Sequence, residues 1–338
     1  MKKIASLVAF VALSAAALSA QGFDYEWQVI SRLDGQGVFS DGGNTFDLGA
    51  SSIYTQFEGS FSDKFDILVV ANPLLYGSVA ENYTNLGRSD EVNFLNYCLG
   101  TFHLGNFDIA LGKNNIFTCG TEFDPWDWDC FDGLYSSYWR NVAAYQWGGH
   151  VAYTTPSEMT TISLQMVSSP WGEHPFGSGL WCYSAQWTGE YFDGVFSPIY
   201  SITAMESADG QFDWIASIGQ FITLGDLGLE LDYYNVCGYG EDPITGDWIT
   251  YLPGNTFSAR AVYPISDKFE LAVKGVAEAY RLPGADSVGD YMFSGGANLN
   301  WFPLADSQDL RVHAVAGYNA WYGGAFANLG VTWTLPIH

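Results

Sequence analysis

The chain has 338 residues, of which 37 are acidic and 12 are Lys or Arg, so its formal net charge is −25. Such a surface repels nucleic acid and attracts cations, which argues against a nucleic-acid-binding function. Aromatic residues make up 17% of the chain and charged residues only 14%. An acidic disordered protein is thereby excluded, because chains of that class contain few aromatic residues.

Residues 1–20 have the organisation of a secretory signal peptide. Lys2 and Lys3 precede an apolar run over 4–18, and small residues follow it. An N-terminal membrane anchor fits less well, because the run is short for a spanning helix and no charged stop follows. We expect cleavage near Ala20 and a mature domain over 21–338. Its charge would be 10 − 37, or about −27. No later stretch is apolar enough for a transmembrane helix.

The first predicted strand covers 23–32 and alternates with a period of two, so its two faces differ. One face carries Phe23, Tyr25, Trp27 and Val29, and the other carries Asp24, Glu26, Gln28 and Arg32. A loop rich in Gly and Asp is predicted to follow as far as Asp47.

The same alternation recurs to the end of the chain. It is clearest over 257–280, where two strands flank the turn Ser266-Asp267-Lys268, and the tetrapeptide that begins at Ser266 occurs also at Ser62. The further predicted strands are one ending at Phe61, then 65–72, 93–104, 107–113, 144–153, 160–167, 180–192, 195–206, 212–224, 227–237, 257–265, 269–280, 290–302, 310–318 and 325–337.

About 16 strands result, joined alternately by short turns and longer loops, in a single all-β domain. Strands of this length and an even count are typical of a closed antiparallel transmembrane β-barrel, in which every backbone amide is paired. A secreted soluble β-sandwich is the alternative. The apolar face carries large aromatic rings in nearly every strand, and these would be hard to bury in the core of a sandwich.

In this pattern the chain resembles Gram-negative outer-membrane porins. Its ending, Asn328-x-Gly330-x-x-Trp333-x-Leu335, is similar to their C-terminal sorting signal, although the family usually ends in an aromatic residue and this chain ends in His338. The resemblance implies short periplasmic turns, long extracellular loops, an outer-membrane location and a homotrimer. It also implies outer-membrane lipid and small hydrophilic solutes as partners.

The resemblance further implies that the third long loop, at about 114–141, folds into the barrel and narrows it. A loop so rich in aromatic residues would otherwise expose a large apolar patch, which either the lumen or the barrel rim would cover. In the lumen its acids would face inward-pointing bases across the opening and create a transverse field. The acids are Glu122, Asp124, Asp127, Asp129 and Asp132, and the bases are Arg32, Arg260, Lys274 and Arg311.

Acids outnumber bases on the predicted inner face, which favours cations in the lumen. The acids expected there are Asp24, Glu26, Glu58, Asp66, Glu190, Glu230, Asp232, Glu270 and Glu278. The predicted function is therefore a passive, cation-preferring diffusion channel for small hydrophilic solutes. A fatty-acid-selective transporter and a surface adhesin on the same barrel are alternatives.

A sugar-selective channel is another alternative, because the aromatic residues of the third loop could stack on sugar rings. These residues are Trp126, Trp128, Tyr135, Tyr138 and Trp139. Packing within the loop itself explains the same residues and is the interpretation that we prefer.

Enzymatic and metal-binding motifs are absent from the sequence. It contains no GxSxG, HExxH, P-loop or dinucleotide fingerprint, so no enzyme activity and no cofactor are predicted. The acids from Asp124 to Asp132 do not have EF-hand spacing, and no metal site is predicted. Of five cysteines, Cys119 and Cys130 share one loop in an exported protein, where a disulfide can form.

Overall fold

The computed structural model describes residues 23–75, 95–118, 120–124, 134–172, 177–238, 252–281, 288–304, 306–320 and 323–337. The predicted signal peptide lies outside these ranges, as do Cys119 and Cys130 with their predicted disulfide. Cys98 and Cys182 are free thiols, and Cys182 is buried as expected of a cysteine in a strand. None of the helices in the described ranges has the length and apolar character needed to cross a membrane.

Seventeen strands occur in the described part of the chain. They are β1 (Phe23–Ser40), β2 (Gly43–Asp47), β3 (Ser52–Phe61), β4 (Phe65–Leu75), β5 (Leu95–Leu104), β6 (Phe107–Asn115), β7 (Tyr145–Thr154), β8 (Thr160–Ser168), β9 (Trp181–Gly189), β10 (Phe196–Ala208), β11 (Gln211–Leu224), β12 (Leu227–Gly238), β13 (Asn255–Ser266), β14 (Phe269–Ala279), β15 (Met292–Trp301), β16 (Leu310–Asn319) and β17 (Gly324–Pro336). Between β6 and β7 lie a 3₁₀ turn, Thr121–Phe123, and a short helix α1, Ser137–Asn141.

These strands close into one antiparallel barrel. From β3 onwards each strand pairs with the next, and β1 pairs with β17 from Gln28 opposite Pro336 to Ser40 opposite Gly324. The short β2 pairs with the end of β1, while β3 pairs with its beginning. Apart from β2, sixteen strands form the ring, which confirms the predicted fold class. Because β1 pairs with β17, the backbone amides of the first and last strands are hydrogen-bonded to each other. A sheet that spans a membrane requires this.

Strand β14 shows how the sequence assigns the two faces of the wall. Phe269, Leu271 and Val273 are exposed on the outside, whereas Lys274 and Glu278 are buried on the inside. The hairpin of β13 and β14 turns at Asp267 and Lys268, as predicted. The outer surface is therefore apolar and the inner surface polar.

The first strand is longer than predicted, because it continues through the Gly-rich segment to Ser40. The prediction of a loop from Leu33 onwards was wrong. Leu33 points outward and Asp34 inward, so the alternation persists. Pairing with β17 along the whole segment outweighs the weak strand propensity of its glycines.

The β9 strand ends sooner than predicted, at Gly189. Phe192 and Asp193 have positive φ angles, which are costly for residues with side chains and mark a tight turn. Glu190, predicted on the inner face of a strand, therefore lies in the connection between β9 and β10, just before this turn.

Candidate functional site: the loop inside the barrel

The connection between β6 and β7, residues 116–144, is called loop 3 below. Its described residues lie inside the barrel, where they form a core with the inner wall. Ile116, Phe123, Tyr138 and Val142 are buried against wall residues of five consecutive strands, namely Val167, Cys182, Met205, Ile215, Tyr234 and Val236. Further round the barrel, Leu134 packs on Ala272, Val315 and Phe326. The contacts of loop 3 thus extend along the wall from β8 to β17.

Asp232 of β12 binds the beginning of loop 3. Its carboxylate accepts hydrogen bonds from the backbone nitrogen of Thr121 at 2.5 Å, from the Thr121 hydroxyl at 2.6 Å and from the backbone nitrogen of Glu122 at 2.9 Å. Asp232 is 6% exposed, and Thr121 is fully buried. Three donors converge on this one buried carboxyl group, so the contact anchors the 3₁₀ turn to the wall.

A second wall carboxylate binds the end of loop 3. Glu278 of β14 accepts hydrogen bonds from the backbone nitrogen of Ser137 at 2.6 Å and from its hydroxyl at 2.7 Å. Ser136 is the N-cap of α1, since its hydroxyl accepts the backbone N–H of Trp139 at 3.0 Å. The start of the helix is therefore bound to the wall through its first turn.

Glu122 joins the two halves of loop 3 to each other and to the wall. Its carboxylate accepts the backbone nitrogen of Ser136 at 2.8 Å, the Ser136 hydroxyl at 2.5 Å and Lys274 Nζ at 2.7 Å. The side chains of Glu122 and Lys274 are 1% and 6% exposed. Both carboxylate oxygens of Glu122 accept hydrogen bonds. These bonds offset the cost of burying the charge.

The glycines Gly120 and Gly219 allow loop 3 to touch the wall backbone. A β-carbon on Gly219 of β11 would collide with the Cα of Gly120, and one on Gly120 would collide with the Asp232 carboxylate. Only residues without side chains fit at this approach. Gln165 of β8 adds contacts near the start of loop 3, since its amide oxygen accepts the backbone N–H of Phe117 at 2.9 Å and its Nε2 donates to the Asn115 carbonyl at 2.8 Å.

The predicted bases lie on the inner face, but three of them make direct ion pairs. Arg32 Nη2 is 2.7 Å from Asp34 Oδ2, Arg260 Nη1 is 2.6 Å from Glu230 Oε1, and Lys274 pairs with Glu122. Arg311 lies on the inward register of β16. The transverse-field interpretation expected an opening between the loop acids and the wall bases. Glu122 and Lys274 are instead in direct contact.

The other acids of the predicted constriction are distributed differently. Asp124 is exposed at the end of the 3₁₀ turn. Asp127, Asp129 and Asp132 lie outside the described residues, as do Trp126 and Trp128.

The described aromatic residues of loop 3 pack against protein. The Tyr138 ring stacks on Tyr234 with centroids 4.4 Å apart, and the Tyr135 ring stacks on Trp139 at 3.9 Å. Tyr138 is fully buried, and its hydroxyl lies 2.5 Å from Thr118 Oγ1. Lys274 Nζ lies 5.1 Å from the centre of the Tyr135 ring, a cation–π distance. These rings stabilise the loop through contacts with one another and with the wall.

Acidic side chains remain exposed at the end of the barrel that carries the tight turns. Asp24 and Glu26 of β1 and Glu58 of β3 are exposed on the inward register. Nearby, His103 lies between two carboxylates, with Nε2 2.9 Å from Asp66 Oδ2 and Nδ1 2.7 Å from Asp108 Oδ1. Within the described ranges, no three His, Cys, Asp or Glu side chains are grouped as metal ligands.

A buried polar network that was not predicted from the sequence lies on β1, β16 and β17. Asp34 contacts His313 Nε2 at 3.2 Å and accepts a hydrogen bond from Asn328 Nδ2 at 3.1 Å, in addition to its pair with Arg32. Gly330 faces this network, where a β-carbon would collide with Asp34 and His313. The period-two register carried past Arg32 would have placed Asp34 on the inner face.

No protein-family model matches the chain, and no curated protein matches it. Solved structures do match, at low sequence identity. An anion-selective porin from Comamonas acidovorans is 10% identical with a TM-score of 0.63, covering 93% of this chain and 100% of that chain. The outer membrane channel DcaP of Acinetobacter baumannii is 12% identical with a TM-score of 0.60, covering 93% and 97%.

A loop-deletion variant of OmpT, an outer membrane protein of Vibrio cholerae, is 12% identical with a TM-score of 0.59 and covers 93% and 99% of the two chains. The names of these neighbours agree with the predicted outer-membrane location. With its closed ring of sixteen strands, the chain has the fold of the outer-membrane porins, and the resemblance seen in the sequence is confirmed at the level of fold.

Proposed function

We propose that this protein is an outer-membrane porin that conducts small hydrophilic solutes by passive diffusion and prefers cations. A sixteen-strand barrel is wide enough for an aqueous channel. Its outer surface exposes large apolar side chains such as Leu164, Phe293 and Leu329, which suits contact with lipid. Loop 3 would narrow the channel, because its contacts follow the wall from β8 to β17.

One observation carries the cation preference. Arg32, Arg260 and Lys274 are each neutralised by a carboxylate within 2.7 Å, whereas Asp24, Glu26 and Glu58 are exposed. Charges in contact with a counter-charge contribute little to the potential of the lumen, so the exposed acids determine its sign. They lie at the tight-turn ends of β1 and β3, and none of them is a partner in the described hydrogen bonds and ion pairs of loop 3.

The similarity to an anion-selective porin does not contradict a cation preference in this protein. It shares the barrel at 10% identity, and selectivity depends on the charges that line a channel and not on its fold. The net charge of −25 has the same sign as the exposed lumen acids.

The test is the zero-current potential of the purified protein in planar bilayers under a potassium chloride gradient. We expect the sign of a cation-preferring pore, and a shift towards neutrality in the variant Asp24→Asn/Glu26→Gln/Glu58→Gln. The matched control, Asp63→Asn/Asp226→Asn/Asp267→Asn, removes the same charge from exposed turns and should leave the potential closer to wild type. Anion preference of the wild type would refute the proposal.

The same recording separates the alternatives. Absence of conductance would favour a fatty-acid-selective transporter or a surface adhesin. Block by added sugar would favour a sugar-selective channel, for which Trp126 and Trp128 remain the candidate residues. A homotrimer and cleavage near Ala20 belong to the same proposal. Mass measurement of the detergent-solubilised complex and N-terminal sequencing of the mature protein test them.

A further inference from the structure

Glu26 and Glu58 form an unusual pair on the inner wall. They are direct cross-strand partners in β1 and β3, on the face that points into the lumen. Side chains in this relation have Cβ atoms about 5 Å apart, and like charges there repel. No described Lys or Arg is paired with either carboxylate, and both are exposed.

Gln56 lies beside this pair and is incompletely hydrogen-bonded. It is 6% exposed, and its Nε2 donates to Glu58 Oε1, so its amide group lies against the Glu58 carboxylate. The amide oxygen Oε1 is buried and has no hydrogen-bond partner among the described residues. A buried acceptor without a donor is unfavourable, and a ligand that accepts its lone pair removes that cost.

The described surroundings add further carboxylates, of which Asp66 is bound to a histidine, since its Oδ2 lies 2.9 Å from His103 Nε2. Asp24 lies two residues before Glu26 on the same face of β1, and Asp66 is the partner of Ser60 on β4. Among the described bases, Arg32 lies six residues from Glu26 and is bound to Asp34, and Lys64 lies six residues from Glu58 in the turn that follows β3.

We propose that Glu26, Glu58 and Gln56 form a binding site for a divalent cation of the Ca²⁺ class, at the tight-turn end of the lumen. All three groups offer oxygen, the ligand that hard cations prefer, and lumen water would complete the coordination shell. Ca²⁺ suits the site better than Mg²⁺, because Ca²⁺ accepts flexible and irregular geometry. Occupation would neutralise the two facing carboxylates and reduce the local negative potential.

Crystals of the full chain grown with millimolar calcium chloride test the site directly by anomalous diffraction at long wavelength. We expect an anomalous peak between Glu26 and Glu58, within bonding distance of Gln56 Oε1, and no peak in Glu26→Gln/Glu58→Gln. Absence of the peak from wild-type crystals would overturn the proposal, whether or not the protein conducts ions.

Equilibrium dialysis with labelled calcium gives a second readout in solution. The double variant should bind one calcium fewer per chain than the control Asp63→Asn/Asp267→Asn, which loses the same charge from exposed turns. Gln56→Met keeps every carboxylate and should weaken the affinity of that one calcium several-fold. Equal binding by the double variant and its control would overturn the proposal. If Gln56→Met and the wild type bound calcium with equal affinity, the Gln56 amide would not be a ligand of the cation.

Discussion

Asp232 Oδ1 and Oδ2 accept hydrogen bonds from the backbone nitrogen and the hydroxyl of Thr121, at 2.5 and 2.6 Å, although 111 residues separate the two in sequence. This contact fixes the beginning of loop 3 on β12, and Glu278 fixes its end on β14. Two wall carboxylates and one loop carboxylate, Glu122, therefore hold the loop inside the barrel.

Asp232→Ala should release the first half of loop 3. The backbone nitrogens of Thr121 and Glu122 would lose their acceptor, which costs about 1–3 kcal/mol for each buried donor left unpaired. We expect a lower midpoint of thermal unfolding, and single-channel currents that are larger and noisier. The control Glu270→Ala removes an inward acid that bonds to Asn300 and not to the loop, so its current should stay steady. If the currents of Asp232→Ala had the same amplitude and noise as those of the wild type, the anchoring role would be contradicted.

Gly219→Ala should displace loop 3 without any change of charge. Its β-carbon would collide with Gly120 and crowd Asp232, and overpacking of this kind typically costs about 1–3 kcal/mol. Gly275→Ala is the matched control, because nothing lies within 4 Å of its β-carbon position. Limited proteolysis of loop 3 in detergent should be faster in the first variant and unchanged in the second. Equal cleavage rates would show that the close approach has no structural consequence.

Lys274→Met should leave the Glu122 carboxylate buried without its counter-charge. Removal of one partner of a buried ion pair costs about 3–5 kcal/mol. Adding Glu122→Gln should recover most of the loss, because the amide oxygen can still accept from Ser136 while no charge remains. Thermal unfolding of the wild type, both single variants and the double variant gives the coupling energy, and a coupling near zero would contradict the pairing seen here.

Tyr138→Ala should destabilise the loop core, whereas Tyr138→Phe should be tolerated. Truncation of a fully buried aromatic residue costs about 3–5 kcal/mol, but loss of the hydroxyl contact to Thr118 alone costs about 0.5–1.5 kcal/mol. Thermal unfolding distinguishes the two outcomes. Equal destabilisation by the two substitutions would contradict the packing role of the ring.

The barrel itself was predictable from the sequence, because one rule acts in every strand. The alternation of Phe269, Leu271 and Val273 with Lys274 and Glu278 is visible without coordinates, and a closed sheet in lipid requires it. The rule did not predict the length of β1. Residues 33–40 contain glycines, which have low strand propensity, yet this segment is a strand paired with β17.

The arrangement of loop 3 was less predictable, because it depends on contacts between distant residues. The register placed Lys274 and Asp232 on the inner wall, but it could not show that Lys274 touches Glu122 or that Asp232 binds Thr121. Such pairings depend on the path of a long irregular segment, which has no period to follow. Gly219, opposite Asp232 in the register of β11 and β12, was the available sign of a close approach.

The conductance of single channels, compared between the wild type and a variant lacking residues 122–132, tests the central claim most directly. Loop 3 inside a water-filled barrel predicts discrete ohmic steps for the wild type and larger steps for the deletion variant. No conductance from correctly folded wild-type protein, or steps of equal size in both proteins, would contradict it.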